Sequence, residues 1–571
     1  MTTAPTIAYF SMEIGLEPSI PTYSGGLGML AGDTLRSAAD MGLPEVAVSL
    51  LHRKGYFRQR IDETGWQTEQ AVEWAVNDYL EEMPPRIIVE IENRKVQVRA
   101  WKYPVVGAGG EIVPVYLLDT DIDGNAPYDR TLTNYLYGGD DKYRLCQEMI
   151  LGIGGIRMLR ALGCHDLNRY HMNEGHASLL VLELLAERRT ARGNGAEINK
   201  EDVDAVRRQC VFTTHTPVPA GHDQFNLDLV HQVFGNANPI RNHEHEFCCE
   251  GLLNLTYLAL ENSHFVNGVS KEHREVSQHM FAGYRIDSVT NGIHVATWTS
   301  KHMQVLFDRY IPGWREDNAS LRYALSIPRN EIWQAHQAAK KELMEYVNRE
   351  ANVGMDRDVL TIGYARRATH YKRPDLLFFD VARLKEIVHK HGALQIIYAG
   401  KAHPHDQRGK ELIQYIHRMK EELRFDVKVA YLAGYDMALG KLMTAGSDLW
   451  LNTPQPPLEA SGTSGMKAAA NGVPSFSILD GWWIEGCIEG ITGWAVGDGN
   501  HNNSKSREVP AQDNALDAQH LYRKLEEIIF PMFYKQQERY IDVMRHAIAL
   551  NGSFFNTERM LNQYVTKAYF K

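Results

Sequence analysis

The run Pro457-Leu-Glu459-Ala-Ser461-Gly462-Thr463-Ser464-Gly465-Met-Lys467 joins an apolar, strand-like stretch at 447–452 to a helix-forming Met-Lys-Ala-Ala-Ala. A Gly/Ser/Thr-rich turn between strand and helix exposes backbone N–H groups, which suits it to holding an anion at a helix N-terminus. Lys467 falls in the first turn of that helix, where a cation gains nothing from the helix dipole. Such a lysine points to another task, forming an imine or reaching a phosphate. The plain alternative is a glycine-rich loop that only turns the chain, with Lys467 solvated. Ser464-Gly-Met-Lys467 also spells the SxxK of penicillin-recognising serine enzymes, but the companion SDN and KTG elements are missing.

Other clusters carry chemistry too. Arg366, Arg367, Lys372 and Arg373 follow a strand-like run ending at Tyr364 and would focus positive potential at its end. Guanidinium binds phosphate through two parallel hydrogen bonds and lysine acts as a point charge, whereas a solvated basic turn would do neither. Tyr23-Ser-Gly25-Gly26-Leu-Gly28, ahead of a helix, is a second candidate anion nest. Two histidines follow strand-like or polar turns, His215 in Thr213-Thr-His-Thr216 and His176 after Asn173-Glu174. A satisfied structural role is the default for either, in a chain with 24 histidines. His243-Glu-His245 supplies two ligands, too few for a metal cage, so no metal is expected.

The elements that must position these groups alternate strand-like and amphipathic helical runs, the pattern of parallel sheets covered by helices. In the first half, 7–10 and 46–51 read as strands and 28–41 as a helix, with helices at about 141–162 and 175–189. Residues 86–118 read as a β-hairpin insertion. In the second half, 359–364, 395–399, 427–431 and 448–451 are strands, and Pro374 is placed to open a helix running to about residue 390. That is a doubly wound, nucleotide-binding type of unit, whose site belongs at the strand carboxyl ends. Domains of 1–300 and 301–540 follow, with 541–571 a C-terminal helical segment that, by the resemblance given below, would return to the first. Surface loops are expected at 193–195 and 498–506.

Glu459-Ala-Ser-Gly-Thr-Ser-Gly-Met-Lys467 resembles the pyridoxal-phosphate attachment segment of the α-glucan phosphorylases, the glycogen and starch phosphorylase family. Ile478-Leu-Asp-Gly-Trp-Trp-Ile-Glu485 resembles its continuation in the short bacterial branch. Seven further segments resemble the family in the same order: Ala8-Tyr-Phe-Ser-Met-Glu13, Tyr23 to Gly28, Met172-Asn-Glu-Gly-His176, Thr213 to Thr216, Thr290-Asn291-Gly292, Arg366 to Lys372, and Tyr398-Ala-Gly-Lys-Ala402.

The resemblance implies an α/β protein of GT-B architecture, two Rossmann-like doubly wound domains facing a cleft. It implies reversible, retaining phosphorolysis of α-1,4-glucan by orthophosphate, giving glucose 1-phosphate. Pyridoxal 5′-phosphate would be held as an imine on Lys467 and would act through its phosphate. Position by position, Arg367 would grip the substrate phosphate, and Lys372 would serve the cofactor and substrate phosphates. Arg366 falls where animal enzymes carry a lysine near the cofactor phosphate. Gly26, Thr463 and Ser464 would also bind the cofactor and Gly25 the substrate phosphate. His215, His176, Asn291, Glu459, Ser461 and Gly462 would hold the glucosyl unit, with the His215 carbonyl facing the anomeric centre. A nucleotide-sugar glucosyltransferase of the glycogen or starch synthase type is the alternative, and a non-catalytic glucan-binding protein a more distant one. Three departures stand out: no long N-terminal regulatory extension, Gly15 where animal enzymes have an aromatic, and Gln455-Pro456 where short bacterial members show two arginines. Family members are commonly homodimers, which this chain could also form.

Bulk composition agrees. At 571 residues, 44% hydrophobic and 23% charged, the chain is globular with room for several domains. A net charge of −10 argues against nucleic acid, whose binding rests on Lys/Arg contacts to phosphate. There is no run of 18 apolar residues and no signal-peptide pattern at the start, and the six scattered cysteines include no CxxC, so a cytoplasmic, reducing setting is expected and no membrane association.

Overall fold

A computed structural model describes residues 4–193, 197–218, 221–237, 239, 248–249, 251–497 and 514–570. The chain divides into two compact units: Met1–Phe57, Ala71–Thr290 and Met560–Lys571 form one, Arg58–Gln70 and Asn291–Arg559 the other. The expected loop at 498–506, part of that at 193–195 and the His243-Glu-His245 motif lie outside the described residues.

The strands are β1 (Ile7–Ser11), β2 (Glu45–Leu50), β3 (Arg58–Ile61), β4 (Gln67–Gln70), β5 (Glu81–Ile91), β6 (Arg94–Val106), β7 (Ile112–Asp119), β8 (Arg169–Asn173), β9 (Cys210–Thr213), β10 (Gln224–Asn226), β11 (Cys248–Cys249), β12 (Leu252–Asn254), β13 (Phe265–Gly268) and β14 (Asp287–Ser288), followed by β15 (Leu360–Ala365), β16 (Leu394–Ala399), β17 (Val427–Leu432), β18 (Leu449–Asn452), β19 (Ser475–Ile478) and β20 (Gly493–Val496). In the first unit a sheet runs β14-β13-β9-β8-β1-β2-β7-β6-β5. Neighbours are parallel from β14 to β7, and only β7-β6-β5 are antiparallel. The stretch expected as a hairpin insertion is thus continuous with the main sheet, because Ala47 of β2 pairs with Val115 of β7.

Period-2 alternation explains why these strands read as unbroken apolar runs. Ala8, Phe10, Val46 and Val48 enter one core cluster, and Ile7, Tyr9 and Ala47 enter another. The second cluster also takes Met560, Leu561, Tyr564 and Tyr569 from the C-terminal segment. In the second unit the order is β17-β16-β15-β18-β19-β20, all parallel. Both sheets reverse order beside their own first strand, so the loops after β1, β8 and β9, and after β15 and β18, are the ones placed to form sites.

Helix positions were read less well. Pro374 does not open a helix: Arg373 adopts a left-handed conformation (φ 45°) and the helix Val381–His391 starts after Asp380, whose carboxylate accepts from the Arg383 N–H at 2.9 Å. The helix expected at 175–189 is a 3₁₀ turn at Gly175–Ala177 followed by an α-helix at Leu180–Arg192. Among the described residues no helix is long and apolar enough to cross a membrane.

Candidate active site

In the second unit the loops after β15 and β18 bring one carboxylate and two cations together. Glu459 Oε2 lies 2.6 Å from an Arg366 guanidinium nitrogen and 3.0 Å from Lys372 Nζ, all three nearly enclosed. Burial alone would push the Glu459 carboxyl up, but Arg366 and Lys372 outweigh it and hold the group down at about 2. The Glu459 N–H donates to Asp480, and the Trp482 N–H donates to the Ser461 carbonyl, so the segment 478–485 braces the loop from behind. Gly481 is needed there: a Cβ would stand 2.4 Å from the Ser461 carbonyl. Gly462 has φ +76°, and a Cβ on it would face Glu459 and Arg366 at 3.3 and 3.7 Å.

Lys467 is 6% exposed, on the short helix Ser464–Ala470, and its amine lies 3.4 Å from the centre of the Trp298 ring. Asn471 fixes that geometry: its amide donates to the carbonyls of both Lys467 and Trp298 and accepts from Ser300 N–H. Ser464 accepts from the buried Trp450 indole at 3.1 Å, while Thr463 makes no capping hydrogen bond with its side chain. Asn291 is buried, its carbonyl taken by Arg559. Arg367 is exposed at the end of β15.

The sequence reading of four clustered cations needs one correction. Arg373 turns inward, pairs with Asp517 at 2.8 Å and donates to the carbonyls of Thr453 and Pro454. Its charge is compensated inside the unit and does not join the cationic loop.

In the first unit the two candidate imidazoles are kept neutral. His215 Nε2 lies 2.6 Å from Asn173 Oδ1, and its N–H donates to Glu174 Oε2 at 2.8 Å. Burial, then nearby His273, His171 and His176, push the His215 imidazole down to about 3. His176 is pushed to about 3 by burial and by Arg144, with Asp223 opposing. Glu174 has φ 76° and ψ 167°, a region that side chains rarely adopt. Its carboxylate holds Gly175 N–H, His215 N–H and the Thr216 hydroxyl, and those bonds hold the strained turn in place.

The loop at Tyr23-Ser-Gly-Gly also differs from expectation. The N–H groups of Ser24 and Gly25 both donate to Glu13 Oε2, at 2.6 and 3.2 Å. A carboxylate of the protein therefore already takes two of the nest's donors, and the 15-residue helix beginning at Gly26 follows. A Cβ on Gly26 would meet no atom within 4 Å, whereas one on Gly28 would strike Glu13 at 2.6 Å. Gly15 leaves no gap, since a Cβ there would stand 2.1 Å from the Met29 methyl.

Sequence reasoning missed Trp298, Glu174 and Asn471 as positioning residues. Glu174 lies inside the Met172-Asn-Glu-Gly-His176 motif, but no spacing rule shows that Trp298, far off along the chain, covers Lys467. Among the described residues no group of three metal-binding side chains forms.

A family model described as carbohydrate phosphorylase matches residues 243–568. The chain is 40% identical to the maltodextrin phosphorylase of Thermococcus litoralis, over 99% of this chain and 70% of that protein. It is 36% identical to the glycogen phosphorylase of Aquifex aeolicus, over 99% of this chain and 86% of the relative. The bovine brain-form glycogen phosphorylase is 23% identical over 81% of this chain.

Proposed function

Because the chain belongs to the carbohydrate phosphorylase family, we propose that it cleaves α-1,4-glucan with orthophosphate, releasing glucose 1-phosphate and a chain one unit shorter. It is a glycosyltransferase-type α-glucan phosphorylase. The relatives named for their activity are phosphorylases, so the nucleotide-sugar transferase reading is not favoured. The single observation that carries the chemistry is the buried Lys467 beside loops that gather Arg366, Lys372 and Glu459.

The residues present fit pyridoxal 5′-phosphate. Lys467 offers a buried amine against an aromatic face for the carbonyl carbon, and Arg366, Lys372, Thr463 and Ser464 offer cations and hydroxyls for a phosphate. When bound, the cofactor supplies a phosphate whose second pKa of about 6 suits acid–base work near neutral pH.

The chain's own residues then have separable tasks. Arg367 and Lys372 bind orthophosphate and offset the repulsion between two phosphates. Orthophosphate gives its proton to the glycosidic oxygen as the C–O bond breaks, and one of its oxygens bonds to the anomeric carbon, on the same face. His215, His176 and Asn291 bind sugar hydroxyls as neutral donors and acceptors, and Glu459, Ser461 and Gly462 bind the ring's other edge. Gly25 and Gly26 contribute at the phosphates; Gly25 does so with its N–H shared with Glu13. The Rossmann-like, GT-B reading is supported by the parallel strands that make up most of the two large sheets and by the family. A cytoplasmic setting completes the proposal.

Phosphate-dependent release of glucose 1-phosphate from maltodextrin tests it, with Arg367→Ala as the paired variant. Release without phosphate, or full activity in Arg367→Ala, would overturn the reading.

A further inference from the structure

The β3–β4 ribbon, residues 58–70, lies far in sequence from the second unit yet belongs to it. Its pairing, Arg58 with Gln70 through Ile61 with Gln67, sets Gln59 and Gln67 on the buried face, at 2% and 0% exposure. Two buried primary amides need partners for every donor and acceptor. Here they find them on the loops after β16 and β17 and within the ribbon itself, where Gln67 Nε2 donates to Glu69 Oε1 at 2.7 Å. Gln59 Nε2 donates to the Gly400 carbonyl at 2.8 Å and to Gln67 Oε1 at 2.9 Å, and Gln59 Oε1 accepts from Gly434 N–H at 2.8 Å. Gln67 both donates to the Ala402 carbonyl and accepts from its N–H, each at 2.9 Å, as a neighbouring β-strand would.

The clamped loop is in turn the support of the cationic loop. Arg366 N–H donates to the Ala399 carbonyl and Ala368 N–H to the Lys401 carbonyl. Gly400 (φ 142°) lies so near that a Cβ would stand 1.9 Å from the Arg366 carbonyl. Ile61 of the ribbon packs with Ala368, Ala402 and Ile413 in one small apolar cluster.

We propose that Gln59 and Gln67 are positioning residues for phosphate binding: by completing the backbone hydrogen bonds of Gly400, Ala402 and Gly434 they fix the loop on which Arg366 and Arg367 stand. This rests on the phosphorolysis reading for its kinetic form. Loss of Gln67 leaves the buried N–H and carbonyl of Ala402 without these bonds, while loss of Gln59 removes the bond to Gly434 N–H and one of two bonds to the Gly400 carbonyl, which Tyr431 also holds. Either loss lets the cationic loop shift, and small misplacements of binding groups are costly.

The test uses the holoenzyme with Gln67→Leu and Gln59→Leu, and Gln67→Glu as a near-isosteric variant should the leucine forms not fold. Expected is a rise of about tenfold in the KM for orthophosphate with the KM for maltodextrin within about twofold. Orthophosphate binding read directly by phosphorus NMR line broadening should weaken in parallel. Arg60→Ala, which removes an exposed hydrogen bond to Gln70 on the ribbon's other face, should change neither. Unchanged orthophosphate affinity in folded variants overturns the proposal, and so does an equal loss for both substrates, which marks a purely structural role. Absence of glucose 1-phosphate from the wild-type protein would instead count against phosphorolysis, and the NMR titration would still judge the glutamines.

Discussion

The two sites handle charge differently. Around His215 and His176 the first unit buries imidazoles that burial keeps neutral: an asparagine and a strained glutamate hold His215, and Asp223, itself paired with Arg144, lies 3.4 Å from His176. Around Glu459 the second unit buries full charges, kept ionised by pairing one carboxylate with two cations. Neutral groups that both donate and accept suit sugar hydroxyls; concentrated cations suit phosphate. The difference teaches that one chain can keep buried polar groups stable by two routes, neutralising them or pairing them.

The sharpest break with this comparison would come from Lys467→Ala. Loss of phosphorolysis on the order of 10³-fold or more is expected, together with loss of any near-ultraviolet cofactor absorption in the purified protein. Retention of both would remove the second unit's role.

Next in size is the ion-paired carboxylate. Glu459 sits at about 2 in the folded chain, below the ordinary carboxylate value, so its stabilisation is present above about pH 4.5 and is lost as pH falls toward 2. Glu459→Gln should therefore lower stability by about 3 kcal/mol at neutral pH, with the deficit shrinking below pH 4.5 in denaturant titrations.

The imidazoles shift the opposite unit at a different pH. His171, His176 and His215 all sit at about 3, below their ordinary value of about 6.5, so their stabilisation is present above pH 6.5 and drains away as pH falls toward 3. Glu45, pushed up to about 8 by burial, and Glu148 and Glu272, also raised by burial, work the other way, but His52 and His273, both pushed down to about 4 by burial, add to the histidines' side. Hydrogen exchange followed from pH 7 to 4 should show the first unit loosening before the second. Simultaneous loosening would break the comparison.

Smaller and more discriminating is a crossed pair of kinetic effects. Arg367→Ala should raise the KM for orthophosphate about 10- to 100-fold, the worth of a charged hydrogen bond, and leave maltodextrin nearly untouched. His215→Ala should do the reverse, by about tenfold at most, the worth of a neutral one. Parallel effects on both substrates would erase the division of labour.

Much of this was legible in the chain. Continuous apolar runs marked the buried parallel strands, and residues just beyond β15 and β18 stood out because their types serve no packing purpose. The glycine-rich turn at Tyr23 read as an open nest, and nothing local shows that Glu13 reaches two of its N–H groups. Arg373 misled for the same reason: its partner Asp517 lies 144 positions on. The ribbon at 58–70 was silent, because two glutamines in a polar stretch look like surface until their partners are known.

By itself, then, the sequence determined periodicity, loop chemistry and the lysine at the head of a short helix, all of which depend on neighbours within a few residues. The tertiary structure decided which charges remain available and which are neutralised, which histidines stay uncharged, and which aromatic ring covers Lys467. Those outcomes depend on desolvation and on partners brought together across hundreds of residues, and a linear pattern does not encode either.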